Sequence, residues 1–283
     1  MLPPGDRMNI DALLRRCLAF RDDGSGTLTL DRAFQGLPDT AHGGSVLAIF
    51  DAVAGATGAR EVVGVYRRRV PLEVPLALAV RRDGDGARFA LTEGRAILVE
   101  GSVARADADV AEAARLAGTG HPLPTSHTCF ACGTKNEIGL RLALAFDERA
   151  VAGEYLAGER FRNPDGMVAP VVLTTLLDEV AFWLGALATG EAGMTTELRV
   201  RLHRPVAFGT RLTVSGLRAR VRPREDDPRY WQTETAVHDD RGAPVASARI
   251  TFVAVRGAAR RLAIGMLAMN PADVVRRVFP ADA

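Results

Sequence analysis

Little in this chain would staple it, anchor it or give it a strong field. Only three cysteines occur in 283 residues, Cys17, Cys129 and Cys132. They cannot all pair with one another and make no secreted disulfide framework, so reduced thiols are the expectation. No uninterrupted apolar stretch approaches the roughly 18 to 20 residues that a membrane span needs. The opening MLPPGDRMNIDALLRRC lacks the apolar block of a signal peptide, so a cytoplasmic location without a membrane partner is expected. Neither charge dominates: 36 Lys+Arg against 34 Asp+Glu leave +2, nearly all the positive charge being arginine. That balance gives no global reason to expect nucleic acid.

What remains is an ordinary folding composition, 47% hydrophobic and 25% charged, in a length comfortable for two domains. The chain is also written twice. FQGLPDTAHGGSVLAIFDAVAG from Phe34 lies over FRNPDGMVAPVVLTTLLDEVAF from Phe161, with Asp51 falling on Asp178 at an offset of 178 − 51 = 127. Further on, YRRRVPLEVPLALAV lies over VRLHRPVAFGTRLTV, pairing Pro71 with Pro205 at 205 − 71 = 134. The added seven residues predict a longer loop after the second helix. Each copy reads as an extended stretch, an apolar helix of about four turns, then alternating strands separated by Gly and Pro. Leu198, Val200 and Leu202 alternate with Arg199, Arg201 and His203, which gives one apolar sheet face for the helix to cover. Asp-Gly sequences at 83–86 and 239–242 supply hairpin turns.

His42-Gly43-Gly44, then Asp51 nine residues after the histidine, then a strand ending in Val-Pro or Arg-Pro, resembles the hotdog-fold acyl-CoA thioesterases of the phenylacetic-acid-pathway type. CFACGTKNEIGLRLALAF, from Cys129, resembles the Cys-Phe-x-Cys-Gly-x-x-Asn-x-x-Gly-Leu entry strand of that group. The two copies cover about Asp11 to Val255. The resemblance therefore implies an α+β double hotdog: two repeats forming a pseudo-dimer on one continuous antiparallel sheet, with one long helix per repeat. The expected boundaries are residues 1–110 for the first repeat, 111–128 for a linker, 129–256 for the second repeat and 257–283 for an extension.

The resemblance also implies a cleft between the repeats. There the backbone N–H groups of Gly43 and Gly44, at a helix start, polarise a thioester carbonyl, and an acid on the facing helix acts as nucleophile or general base. Each copy keeps a different part of that pattern. The second has Ala169, Pro170 and Val171 where the first has His42, Gly43 and Gly44, and Pro170 has no N–H to donate. Conversely, the family's Ser/Thr ten residues before the proline matches Thr195 but is Glu61 in the first copy, and its Asn matches Asn163 but is Gly36. One composite site is thus expected, built from His42, Gly43, Gly44, Asp178 and Thr195. The opposite cleft, with Asp51, Glu61 and Asn163, looks impaired.

Other readings stand beside these. Asp178 or its neighbour Glu179, the alternative acid, can emerge at a helix edge into water, and His42 can simply brace the turn. His127, Cys129 and Cys132, with His121 nearby, can start a zinc site. A structural zinc commonly uses two ligand pairs and only one CxxC is present, so no metal and no cofactor are expected. Arg199 and Arg201, or Arg67-Arg68-Arg69, can hold coenzyme A phosphates or merely line a solvated face. The expected partner is an acyl-CoA or acyl-carrier-protein thioester. A homodimer of double hotdogs is possible, and the last segment, from Asn270, reads as a short surface helix. Two other functions stay open: a hotdog dehydratase or hydratase, and a non-catalytic acyl-thioester binder.

Overall fold

The computed structural model describes residues 9–21, 25–107 and 114–280. The first eight residues of the N-terminal stretch, residues 111–113 of the expected linker and the last three of the extension lie outside them. The first half contains helix α1 (Ile10–Arg16), strands β1 (Leu18–Phe20) and β2 (Gly26–Leu28), helix α2 (Gly43–Ala54), and strands β3 (Arg60–Tyr66), β4 (Leu76–Asp83), β5 (Gly86–Glu93) and β6 (Ala96–Arg105). In the second half β7 (His121–Pro122), β8 (Ala145–Phe146) and β9 (Ala150–Leu156) precede helix α3 (Pro170–Thr189). Strands β10 (Gly193–Leu202), β11 (Arg211–Leu217), β12 (Arg222–Pro223), β13 (Tyr230–His238) and β14 (Pro244–Ala254) follow it. Helices α4 (Ala258–Leu267) and α5 (Ala272–Val278) close the described chain.

All the strands join one antiparallel sheet in the order β1-β2-β4-β5-β6-β3-β10-β14-β13-β11-β9-β8-β7, with β12 on β13. The halves meet edge to edge where β3 pairs β10, Val62 opposite Val200 and Gly64 opposite Leu198. This is the α+β double hotdog that the family resemblance implied. Along β10, Leu198, Val200 and Leu202 are buried. Their face is the helix side, because a Cβ on Gly64 would lie 3.0 Å from Leu47 Cδ1 of α2. Arg199 and Arg201 therefore point to the opposite face.

The helix ends follow from local chemistry. His42 is extended (ψ 130°) and sets its Nδ1 3.1 Å from Gly44 N, while Gly55 closes α2 in the left-handed region at φ 66°. Pro170 starts α3 at its first turn and Gly190 ends it, again at φ 66°. The extra residues of the second copy are in the helix and not in the loop after it. α3 has 20 residues against 12 in α2, and the connection to the next strand shortens from residues 55–59 to 190–192. α3 is also long and apolar enough to cross a membrane by length and composition, with mean hydropathy 1.7; 83% of that window is buried inside the fold.

The Cys-Phe-Ala-Cys-Gly segment is a turn-rich loop, and between Cys129 and Phe146 only Ala145–Phe146 is a strand. It curls because Gly133 N–H donates to Cys129 O (2.9 Å), while Leu140 and Leu142 donate back to Phe130 O and Ala131 O. Phe130 then packs 5.1 Å from Phe34 and 6.5 Å from Phe161, between the two phenylalanines related by the repeat. Part of the expected linker belongs to the sheet, since His121–Pro122 pairs with β8. The C-terminal helix is docked rather than superficial: Val275, Val278 and Phe279 are buried.

Gly101, opposite Gly64 on β6, marks where α2 lies closest to the sheet. A Cβ there would meet the Phe50 ring at 2.5 Å and Val63 O at 2.8 Å, with Phe50 itself stacked on Phe89 at 4.8 Å. Gly101→Ala should destabilise the protein by about 1–3 kcal/mol through overpacking. Gly158→Ala, with nothing within 4 Å of its Cβ, should change stability by less than about 0.5 kcal/mol. Urea unfolding of the two variants checks the contrast.

Candidate active site

The start of α2 meets the middle of α3. Gly44 can approach because it has no side chain: a Cβ would lie 2.7 Å from Thr174 O and 2.7 Å from Thr175 Cα. Thr174 locks the crossing by donating its hydroxyl to Gly44 O at 2.8 Å. Across this junction Gly44 N–H donates to Asp178 Oδ2 at 3.0 Å. Thr195 donates its hydroxyl to the other oxygen, Asp178 Oδ1, at 2.7 Å. Thr195 sits at a register shift of β10 against β14, between Thr195 and Glu197, a bulge of the kind that re-aims a side chain.

His42 stands between two acids, its Nδ1 3.3 Å from Asp178 Oδ2 and its Nε2 3.5 Å from Glu179 Oε2. Burial disfavours its protonated form, but the Glu179 hydrogen bond and the Asp178 charge outweigh that and raise its pKa from 6.5 to about 9. Glu179 is buried, its Oε1 accepting from Trp183 Nε1 at 3.1 Å. It does not emerge into water, and neither does Asp178, which is 5% exposed. Tyr66 donates its hydroxyl to Gly43 O at 2.7 Å; burial and the Asp178 charge push its pKa well above the phenol range, so it remains a donor. Gly43 N–H makes no hydrogen bond among the described residues. Gly43, Tyr66 and Thr195 are half-buried and form the side of the site nearest solvent.

The structure thus brings together His42, Gly43, Gly44, Asp178, Glu179 and Thr195. Tyr66, Thr174 and Trp183 complete the cluster, and sequence reasoning missed them. Trp183, four residues after Glu179 on one helix face, carried the one readable signal; Tyr66 and Thr174 had none.

The residues assigned to the opposite cleft do not converge. Asp51, 4% exposed, is bound by Arg60, whose Nη2 donates to Asp51 Oδ2 at 2.6 Å. Glu61 is on the far face of the sheet, where it accepts from Arg199 Nη1 at 2.9 Å and Arg201 Nε at 3.0 Å. Those two arginines are consequently placed on the face away from the α2–α3 junction and held by a carboxylate. Asn163 uses its Oδ1 to accept Met167 N–H at 2.8 Å and braces the loop before α3. Arg67 pairs with Glu100 and Arg69 Nε contacts Met194 Sδ.

No protein-family model matches the chain, and no curated protein matches it in sequence. Solved structures match it in fold. A protein described as a thioesterase II from Thermobifida fusca superposes with a TM-score of 0.59 at 16% identity, over 86% of this chain and 99% of the other. The tesB protein of Mycobacterium avium subspecies paratuberculosis gives 0.61 at 12% identity, over 86% and 98%. The CurJ dehydratase gives 0.57 at 9% identity, over 82% and 91%. The chain has the tandem hotdog fold over nearly its full length, the fold that thioesterase II proteins and such dehydratases share.

The Asp51–Arg60 pair is internal, with side chains 4% and 12% exposed, and removing one partner of such a pair leaves an uncompensated charge. Arg60→Met should cost about 3 kcal/mol of stability. Adding Asp51→Asn should restore most of it, a coupling that a double-mutant cycle measured by urea unfolding will read.

Proposed function

We propose that this chain is a thioester hydrolase acting at one composite site, where the helix start of the first half faces Asp178 of the second. The observation that carries the reading is the bond from Gly44 N–H to Asp178, joined by Thr195 on the other carboxylate oxygen. Gly44's donor is spent on the acid, so the oxyanion donor is the N–H of Gly43, at the positive end of α2. Asp178, oriented from both oxygens, takes a proton from water as it attacks the acyl carbon. The carbonyl oxygen becomes an oxyanion against Gly43 N–H; its collapse breaks the C–S bond, and Asp178 returns the proton it took to the departing sulfur, releasing acid and thiol. Tyr66 and Thr174 fix the turn through its carbonyls, and His42 braces it. Acyl-CoA and acyl-carrier thioesters in the cytoplasm are the substrate class.

The dehydratase neighbour and the closeness of His42 to Asp178 raise a lyase as the second reading. It is less favoured because both ring nitrogens of His42 face protein carboxylates, at 3.3 and 3.5 Å, leaving neither nitrogen open to a substrate.

Asp178→Asn should lower thiol release from an acyl-CoA panel by about 10²- to 10⁴-fold, the usual worth of a general base, with the melting temperature close to that of the parent. Asp51→Asn should leave turnover by the folded protein near the parent level. Gly43→Pro removes the donor at the place where the second copy already carries Pro170, and should cost about 10²- to 10³-fold. Full turnover by Asp178→Asn, or dehydration without thiol release, would refute the hydrolase.

A further inference from the structure

Behind the turn, on the side of His42 away from Asp178, a thiol meets an imidazole and a carboxylate, with a second thiol close to it in the chain. One ligand atom each of His42, Cys129 and Glu179 lie within 4.8 Å of one another, and all three residues are buried. Cys132, also buried, packs with Cys129 and Ala131 in the same loop and stands outside that group of three. From these positions we infer that Cys129, Glu179 and the Nε2 of His42, with Cys132 turned in from the same loop as the fourth ligand, form a site for one transition-metal ion, zinc by the chemistry of its donors.

Four observations carry it. The donor set is two sulfurs, one imidazole nitrogen and one carboxylate oxygen, which suits zinc and does not suit magnesium or calcium. Zinc bonds of 2.0–2.3 Å set tetrahedral ligands about 3.5 Å apart, and His42 Nε2 lies 3.5 Å from Glu179 Oε2. The imidazole and the carboxylate are also supported from behind. His42 turns its other nitrogen to the Asp178 carboxylate at 3.3 Å, and Glu179 holds Trp183 Nε1–H on Oε1, leaving Oε2 toward the cluster. Metal-ligating histidines and carboxylates are oriented in this way. Finally, the Cys-x-x-Cys-Gly loop is shaped around its first sulfur. Ala131 N–H donates to Cys129 Sγ at 3.3 Å, and Gly133 folds so close that a Cβ would sit 2.1 Å from Cys129 O.

The ligands come from three segments: the helix start of the first half, the helix of the second, and the loop entering the second half. A bound ion would clamp the two halves together behind the acid and the turn, without reaching the acyl group. His121 and His127, the histidines nearest the cysteines in sequence, take no part; His121 is at the surface against Arg277.

The test reads metal, with no substrate present, so it stands or falls separately from hydrolysis. Protein purified without chelator and reloaded with zinc chloride should retain about one zinc per chain by mass spectrometry. Cobalt loading should give a sulfur-to-cobalt charge-transfer band. Cys129→Ser and Glu179→Gln, shown folded by circular dichroism, should lose the stoichiometric metal and the band, whereas His121→Ala and His127→Ala should keep both. If Cys129→Ser does not fold, the unaltered chain decides, because its melting temperature should rise with zinc and fall with a chelator. A folded parent chain that takes up neither ion, or metal retained in the Cys129→Ser/Cys132→Ser double variant, would overturn the inference.

Discussion

A carboxylate can be kept in a protein interior only where donors replace water, and at Asp178 those donors come from separate stretches of chain. Gly44 belongs to the first half, and Thr195 to a strand that begins after α3 has ended. Satisfying this one group therefore fixes the position of the first helix against the second. It requires a glycine where the helices touch and a bulge where the strand delivers its hydroxyl. The sheet seam and the Phe34–Phe130–Phe161 stack bring the same segments together from the apolar side. Each half consequently supplies groups that the other needs.

The second carboxylate of the repeat shows the alternative. Asp51 occupies the corresponding place on its helix, but no helix-start N–H is bonded to it among the described residues. Arg60 neutralises it instead. Two equivalent acids have thus acquired different environments, one held by a backbone N–H and a hydroxyl beside His42 and a half-buried turn, the other closed off in a pair with Arg60.

The double hotdog was readable from the repeated Phe, Asp and Pro frame, because a duplicated apolar pattern must be buried twice in the same way. The lengths of its parts were harder to read. An offset of seven residues does not say whether a helix or a loop has grown, and the apolar residues of α3 continue to Thr189 with no breaker before Gly190. The meeting of His42 and Gly44 with Asp178 and Thr195 could be proposed because the two copies had lost complementary pieces. Arg60 as the partner of Asp51, Glu61 as the anchor of Arg199 and Arg201, and Glu179 beside Cys129 could not. Each depends on which face of a strand or helix turns toward which neighbour, and pairs far apart in sequence leave no periodic trace.

The covalent joining of the two repeats has an evolutionary consequence. In a dimer of identical chains every substitution appears twice, so a proline that silenced one helix start would silence its symmetry mate as well. Once the copies are linked, each position mutates alone. One turn can accept Pro170 while the other keeps its glycines, and one acid can recruit Arg60 while the other stays with Thr195. Fusion thus turns a symmetric assembly into an asymmetric one in which half of the original interface is released from its first duty and left free to drift toward another.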